Sequence, residues 1–177
     1  MFIPLDLVLA LALALAVQKI KGKTLYRLFY FMPVVTGSVS VGVIWTWILN
    51  GDFGLLNTVL AAIGIEGPKW LTDTRWVLPS IVLVSVWWNV GYNMVLLLAG
   101  LQNIPESYYE AAKIDGAGKW QIFKSITIPM LSPTLFFVLI MTMISSFQVF
   151  DQAFVMTSGG PVKASYTFVY HIYQNAF

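Results

Sequence analysis

The sequence predicts an all-α fold: a polytopic membrane protein, a bundle of transmembrane helices with one polar helical loop on the cytoplasmic side. Three observations carry this. The 177 residues are 58% hydrophobic and only 10% charged, with a mean hydropathy of +0.77. A soluble domain carries roughly 25% charged residues, so most of this surface cannot face water. Apolar runs close to the ~20 residues that cross a bilayer recur along the chain. A polar island at 102–130 separates two of them.

The first apolar run, 2–17, contains a Leu-Ala repeat at 9–15. Its bases, Lys19, Lys21 and Lys23, follow the run, whereas a cleaved signal peptide carries its bases ahead of it. The run reads as a span. The second span is expected at 28–49, with Pro33 kinking it or marking its start. The third is expected at 76–101, the fourth at 131–150, and a fifth from residue 166 onward. The chain stops inside that last apolar run, so it reads as a fragment of one transmembrane domain, open at both ends. Between spans two and three, the loop 51–74 is expected to hold a short surface helix at 57–65, broken by Gly67-Pro68. Ser158-Gly159-Gly160-Pro161 predicts a sharp turn before span five.

Loop bases set the orientation. Lys19, Lys21, Lys23, Arg27, Lys113, Lys119 and Lys124 fall on one side; Lys69, Arg75 and Lys163 fall on the other. Seven against three puts the 102–130 loop in the cytoplasm. Within it, Pro105 suits a first helical position and Glu106 the first turn, where the helix dipole favours an acid. A helix over 105–115 should end at Gly116, which can take the left-handed conformation. A second helix, 119–128, should be closed by Pro129. Ala111 and Ala112 leave one side low enough for another backbone to approach, with Glu110 at its edge. An ordinary well-capped hairpin would carry the same small residues, so composition alone does not make the loop a dock.

The spacing does more. Glu110-Ala111-Ala112, three residues, Gly116, nine residues, Ile126, one residue, then Ile128-Pro129 resembles the Glu-Ala-Ala loop of the permease subunits of binding-protein-dependent ABC importers. The aliphatic before the proline is commonly Leu in that family, and Ile128 departs from it. Ala99-Gly100-Leu101-Gln102-Asn103-Ile104-Pro105, Phe53-Gly54-Leu55-Leu56-Asn57, Phe150-Asp151, Thr157, Gly159-Gly160-Pro161, Tyr170, Tyr173 and Ala176-Phe177 are similar to the carbohydrate-uptake branch. The Gly-Gly-Pro element suggests the first permease component of the maltose and glycerol-3-phosphate type.

The resemblance implies a subunit of the cytoplasmic membrane that does no chemistry. Its expected partners are two ATPase subunits, a second homologous permease subunit and an extracytoplasmic solute-binding protein. ATP-Mg would be bound by the ATPase, and no cofactor by this chain. Glu110, Ala111, Ala112, Asp115 and Gly116 would form the ATPase contact, with Glu110 as the ionic residue, the alanines as close-packing surface and Gly116 as the hinge.

For the solute pathway, polar groups should face the bundle interior. Ser85, Trp88, Asn89 and Tyr92 share one helical face at i, i+3, i+4 and i+7; Thr142, Ser145 and Ser146 repeat the spacing in span four. Ser38, with Gly42 one turn on, is a further candidate. Aromatic planes that stack on sugar rings, beside amides and hydroxyls, suit a carbohydrate. Trp and Tyr also serve as interfacial anchors, and Ser and Thr as packing residues. Asn93 lies one residue off the stripe and suits a helix–helix hydrogen bond; Gln148 and Asp151, near the outer mouth, suit a solvated end more than a gate or a binding-protein contact.

Other classes fit poorly. There is no cysteine, His171 is the single histidine, and the net charge is +2 with scattered bases. An intramembrane enzyme or a nucleic-acid partner therefore has little to draw on. No Gly-rich nucleotide loop with a lysine occurs, so the chain is not itself an ATPase. A secondary transporter of a small polar solute is the alternative. It would want ionisable residues at membrane depth, and spans two to four have none in their middles.

Overall fold

The computed structural model describes residues 1–18, 20 and 23–176. Lys19, Lys21 and Phe177, which the readings above use, lie outside the described residues. The described elements are helical: α1 (Phe2–Gln18), α2 (Lys23–Val35), α3 (Ser38–Ile48), α4 (Leu55–Ala62), α5 (Val77–Gln102), α6 (Glu106–Ile114), α7 (Lys119–Ile122), a π turn (Phe123–Thr127), α8 (Ile128–Phe147), α9 (Asp151–Thr157) and α10 (Phe168–Ala176). Among the described residues, two helices have the length and apolar character to cross a membrane: Val77–Gln102, and Lys119–Phe147 taken as one. At ~1.5 Å per residue, the 26 residues of α5 reach about 39 Å. The 17 residues of α1 sit at the short end of the spanning range.

Three expectations are corrected. Span two is not one helix. It stops at Val35 and resumes at Ser38, and the pieces reach span length only as a bent pair. Pro33 removes a backbone donor near the end of α2, and the extended Gly37 (ψ 136°) caps α3. Pro129 does not close the second loop helix, because α7, the π turn and α8 run on without a break. A proline ring crowds the carbonyl four residues back, here Ser125, and the wider π turn at 123–127 gives that carbonyl room. Pro133 in turn offers no N–H to the Pro129 carbonyl, and the Ser132 hydroxyl donates to it instead, at 2.8 Å. Finally, Asp151, expected at a solvated end, is half-buried at the start of the short helix α9, whereas Gln148 just before it is exposed.

Chain contacts divide the protein into two compact units, 3–33 with 89–143, and 1–2 with 34–88 and 144–177. The first is built on a row of small residues. Asp6, Ala10, Ala14 and Val17 form the buried face of α1. On α5, Val90, Met94, Leu97, Leu98 and Leu101 are buried, and on α8 Leu131, Val138 and Thr142. Helix backbones come close at two glycines. A Cβ on Gly100 would lie 2.7 Å from Thr134 Oγ1, and one on Gly91 would lie 1.7 Å from the backbone oxygen of Tyr30. A side-chain end can give way, but a backbone carbonyl cannot. Gly91→Ala is therefore expected to cost about 3 kcal/mol through helix displacement. Gly118→Ala, where a Cβ meets nothing within 4 Å, should cost less than about 1 kcal/mol. Thermal melting of the purified protein in detergent checks the pair.

In the second unit, α3 packs on α9 through Gly42, whose Cβ position lies 3.1 Å from a Val155 methyl. Val41, Leu49, Val84 and Met156 form the core, flanked by Trp45, Trp70 and Trp88. The 51–74 loop is knotted by Asn57, in the first turn of α4. Its amide donates to the carbonyls of Gly51 (2.8 Å) and Pro68 (3.3 Å), and its oxygen accepts from the Trp70 indole at 2.7 Å. Before α10, Ser158 is left-handed (φ 48°) and closes α9, so the Ser-Gly-Gly-Pro segment does turn sharply. Broad apolar surface remains: Phe136, Phe137 and Phe147 on α8 are all more than half exposed. In a membrane, lipid or neighbouring helices cover such surface.

Candidate functional site

Helix α6 begins after Pro105 and ends at Asp115. Gly116 follows with φ +74°. Its N–H bonds the Lys113 carbonyl at 3.1 Å, and the Ala117 N–H bonds the Ala112 carbonyl at 2.9 Å. These two bonds are the Schellman closure of a helix around a left-handed glycine. Gly116 thus forms the corner between α6 and α7. Open space surrounds its Cβ position, so the requirement for glycine there is conformational, not steric.

The helix shows two faces. Ser107, Glu110, Ala111 and Ile114, at i, i+3, i+4 and i+7, are all exposed, as are Asp115 and Gly116. Ala112 is half-buried, so of the two alanines only Ala111 shares the open face with Glu110. Sequence reasoning passed over the apolar residues beside them. Ile114 is 86% exposed and Trp120 73%, large apolar groups in a polar loop. Surface of that kind marks a contact site, and the signal was their position next to the Glu-Ala-Ala motif.

The opposite face of α6, Glu106, Tyr109 and Lys113, lines a cavity of about 680 Å³. The Tyr109 and Thr127 hydroxyls approach to 3.3 Å across it.

The pathway candidates fall in both units. In the first, Asn89 and Thr142 join Asp6 and Asn93 in one network, which does not include Tyr92. The Asn93 amide donates to an Asp6 carboxylate oxygen at 2.5 Å and to Thr142 Oγ1 at 2.9 Å, and Asn89 donates to the same Asp6 oxygen at 3.4 Å. Asn93 thereby ties α1, α5 and α8 together. Asp6, Asn93 and Thr142 are at most 1% exposed, whereas Tyr92 is 37% exposed. Asp6 was missed in the sequence, although a lone acid four residues into an apolar run is a visible signal. Its other oxygen, Oδ1, is buried and has no hydrogen-bond partner among the described residues.

In the second unit, Ser38 donates to the Asp151 carboxylate, and the Trp88 indole donates to the Thr36 carbonyl at 3.2 Å. Asp151 is therefore half-buried and paired, not the solvated end expected; α9 brings it to the start of α3. Ser85 is buried, Ser145 exposed and Ser146 half-buried. Phe150, Phe154, Tyr170 and Tyr173 form an aromatic cluster, with ring centroids 5.3–6.0 Å apart.

Comparison with known proteins sets this geometry in a family. Residues 7–175 match the family described as "Binding-protein-dependent transport system inner membrane component". The chain is 38% identical over 181 residues to the lactose transport system permease protein LacF of Rhizobium radiobacter, covering 99% of this chain and 60% of LacF. It is 37% identical over 164 residues to the trehalose/maltose transport system permease protein MalF of Thermococcus litoralis (strain ATCC 51850 / DSM 5473 / JCM 8560 / NS-C), covering 92% of this chain and 56% of MalF. A crystal structure of a bacterial ABC transporter involved in import of the acidic polysaccharide alginate shares the fold. Its TM-score is 0.85 at 22% identity, over 99% of this chain and 64% of that one. The chain thus spans somewhat more than half the length of these relatives. With the motif, the helical architecture and the match over 7–175 in agreement, the chain belongs to the family of inner membrane components of binding-protein-dependent transport systems.

Proposed function

We propose that this chain is part of a permease subunit of an ABC importer, one that moves a sugar or sugar-like solute across the cytoplasmic membrane by alternating access. The single observation that carries the reading is the exposed face of α6. Glu110, Ala111 and Ile114 stand open on a helix whose end is locked by Gly116. A rigid, smooth, partly charged helix is what a cleft on a separate ATPase subunit can grip and move. Family membership and the named substrates of the relatives support the sugar class.

In this reading the 102–130 loop faces the cytoplasm. The ATPase subunits bind and hydrolyse ATP-Mg, and this chain carries no cofactor. Closure of the ATPase pair pulls α6, and the Schellman corner at Gly116 passes the motion on to α7 and the continuous helix behind it. Two arrangements of the spans then alternate, biased by the state of the ATPase. A second homologous permease subunit and an extracytoplasmic solute-binding protein complete the assembly. Ser38, Ser85, Trp88, Asn89, Tyr92, Thr142, Ser145 and Ser146 supply the polar and aromatic groups of the pathway. Glu110 gives the ionic contact, Ala111 the close approach, Ala112 and Asp115 the last turn, and Ile114 with Trp120 an apolar anchor.

Gly116→Val tests the corner. A β-branched residue at positive φ costs on the order of 1–2 kcal/mol and opens the turn. In proteoliposomes of the complete transporter, ATP hydrolysis should persist while solute uptake falls several-fold. Unchanged uptake per ATP would remove Gly116 from the coupling path.

A further inference from the structure

We propose that the cavity behind α6 is a binding site for an anionic phospholipid. It is bounded by the end of α1, the end of α5, the inner face of α6 and the π turn, all within the unit 3–33 with 89–143. At about 680 Å³ it has the size of a ligand pocket. Its walls divide by chemistry. Leu15, Leu101, Ile104, Ile122 and Phe123 supply apolar surface where spanning helices end. Lys113 and Lys119 supply two positive charges at its polar side, against the one acid, Glu106. Among the described residues, neither lysine has an ion-pair partner.

A polar metabolite would leave the apolar wall unused, and a neutral apolar compound would leave the two ammonium groups unmatched. A phosphodiester headgroup on an acyl chain uses both. Basic pockets between helices on the cytoplasmic side hold such headgroups. The π turn gives the site its room: its first residue, Phe123, and its last, Thr127, both line the cavity. π turns often sit at functional sites for this reason. A lipid seated there would touch Tyr109 and Lys113 on the reverse of the face that carries Glu110, and so set how firmly α6 is backed.

The inference rests on the assignment of this loop to the cytoplasmic side. Its readout, lipid retention, does not depend on coupling to an ATPase, so the two can fail separately. The full transporter is exchanged from nanodiscs of phosphatidylcholine plus phosphatidylglycerol into mild detergent, and bound lipid is read by native mass spectrometry. Wild type should retain one phosphatidylglycerol per copy of this chain. The double variant Lys113→Gln/Lys119→Gln should retain it at least ~10-fold less well. Ile122→Trp, which fills the cavity and keeps both lysines, should lose it too. Equal retention in all three would overturn the proposal, as would inorganic phosphate alone displacing the lipid. Loss of ATPase capture in the double variant with lipid retention unchanged would also overturn it, since the lysines would then serve a protein contact.

Discussion

Replacing Asn93 by leucine is expected to destabilise the protein by about 3 kcal/mol, although the two side chains are close in size. The reason is the acid that Asn93 supports. Asp6 is fully buried, and one of its oxygens already lacks a partner among the described residues. Without Asn93, the other keeps only the 3.4 Å contact from Asn89. Removing one partner from a buried polar group costs its desolvation in full, whereas replacing both partners by apolar groups can be nearly neutral. Asp6→Leu/Asn93→Leu should therefore return to within about 1 kcal/mol of wild type. Thr142, left without its donor, can turn its hydroxyl to the carbonyl four residues back. Melting temperatures of the four members of this cycle decide the matter. A harmless single Asn93→Leu, or a double variant as unstable as the sum of the singles, would show that Asp6 does not depend on Asn93.

That network explains much of what could not be read ahead. Asp6 and Asn93 lie 87 residues apart, and no local pattern reports a pairing at that distance. The same holds for Ser38 and Asp151, which meet only because α9 folds back onto α3. Seven residues of mixed character carry no periodicity long enough to announce that helix. The break at 36–37 and the π turn were hidden differently. Proline rules state that a helix is disturbed, but the surroundings decide whether it stops, bends or widens. By contrast, α6 was legible almost to the residue, from Pro105 to Gly116, because caps are local chemistry. Span three was legible as well, since a 26-residue apolar helix needs no partner to be recognised. The candidate site was legible where it is a local motif. It was incomplete where exposure matters: Ala111 and Ala112 looked alike in sequence, and the fold puts only Ala111 on the open face.

The second large effect follows from that face. Glu110→Lys reverses the charge next to Ala111 in the chain, and Ala111→Trp raises a bulky ring on the low patch. Both positions are exposed, so each variant should fold as wild type does. Each removes a central feature of the proposed docking surface, and losses at such positions commonly exceed ~2 kcal/mol, or more than ~30-fold in affinity. Solute uptake should fall with them. Glu106 and Tyr109 face the cavity on the other side of the same helix. Conservative changes there should spare the ATPase contact, which separates the two faces experimentally.

The central claim is that the outer face of α6 is where an ATPase grips this protein. Co-purification tests it most directly: the full-length permease is tagged and expressed with candidate ATPase subunits, as wild type, Glu110→Lys and Ala111→Trp. Capture of an ATPase by wild type, and its loss in both variants at equal permease yield, is the predicted result. Equal capture by all three, or a stable permease that holds no ATPase in any form, would contradict it.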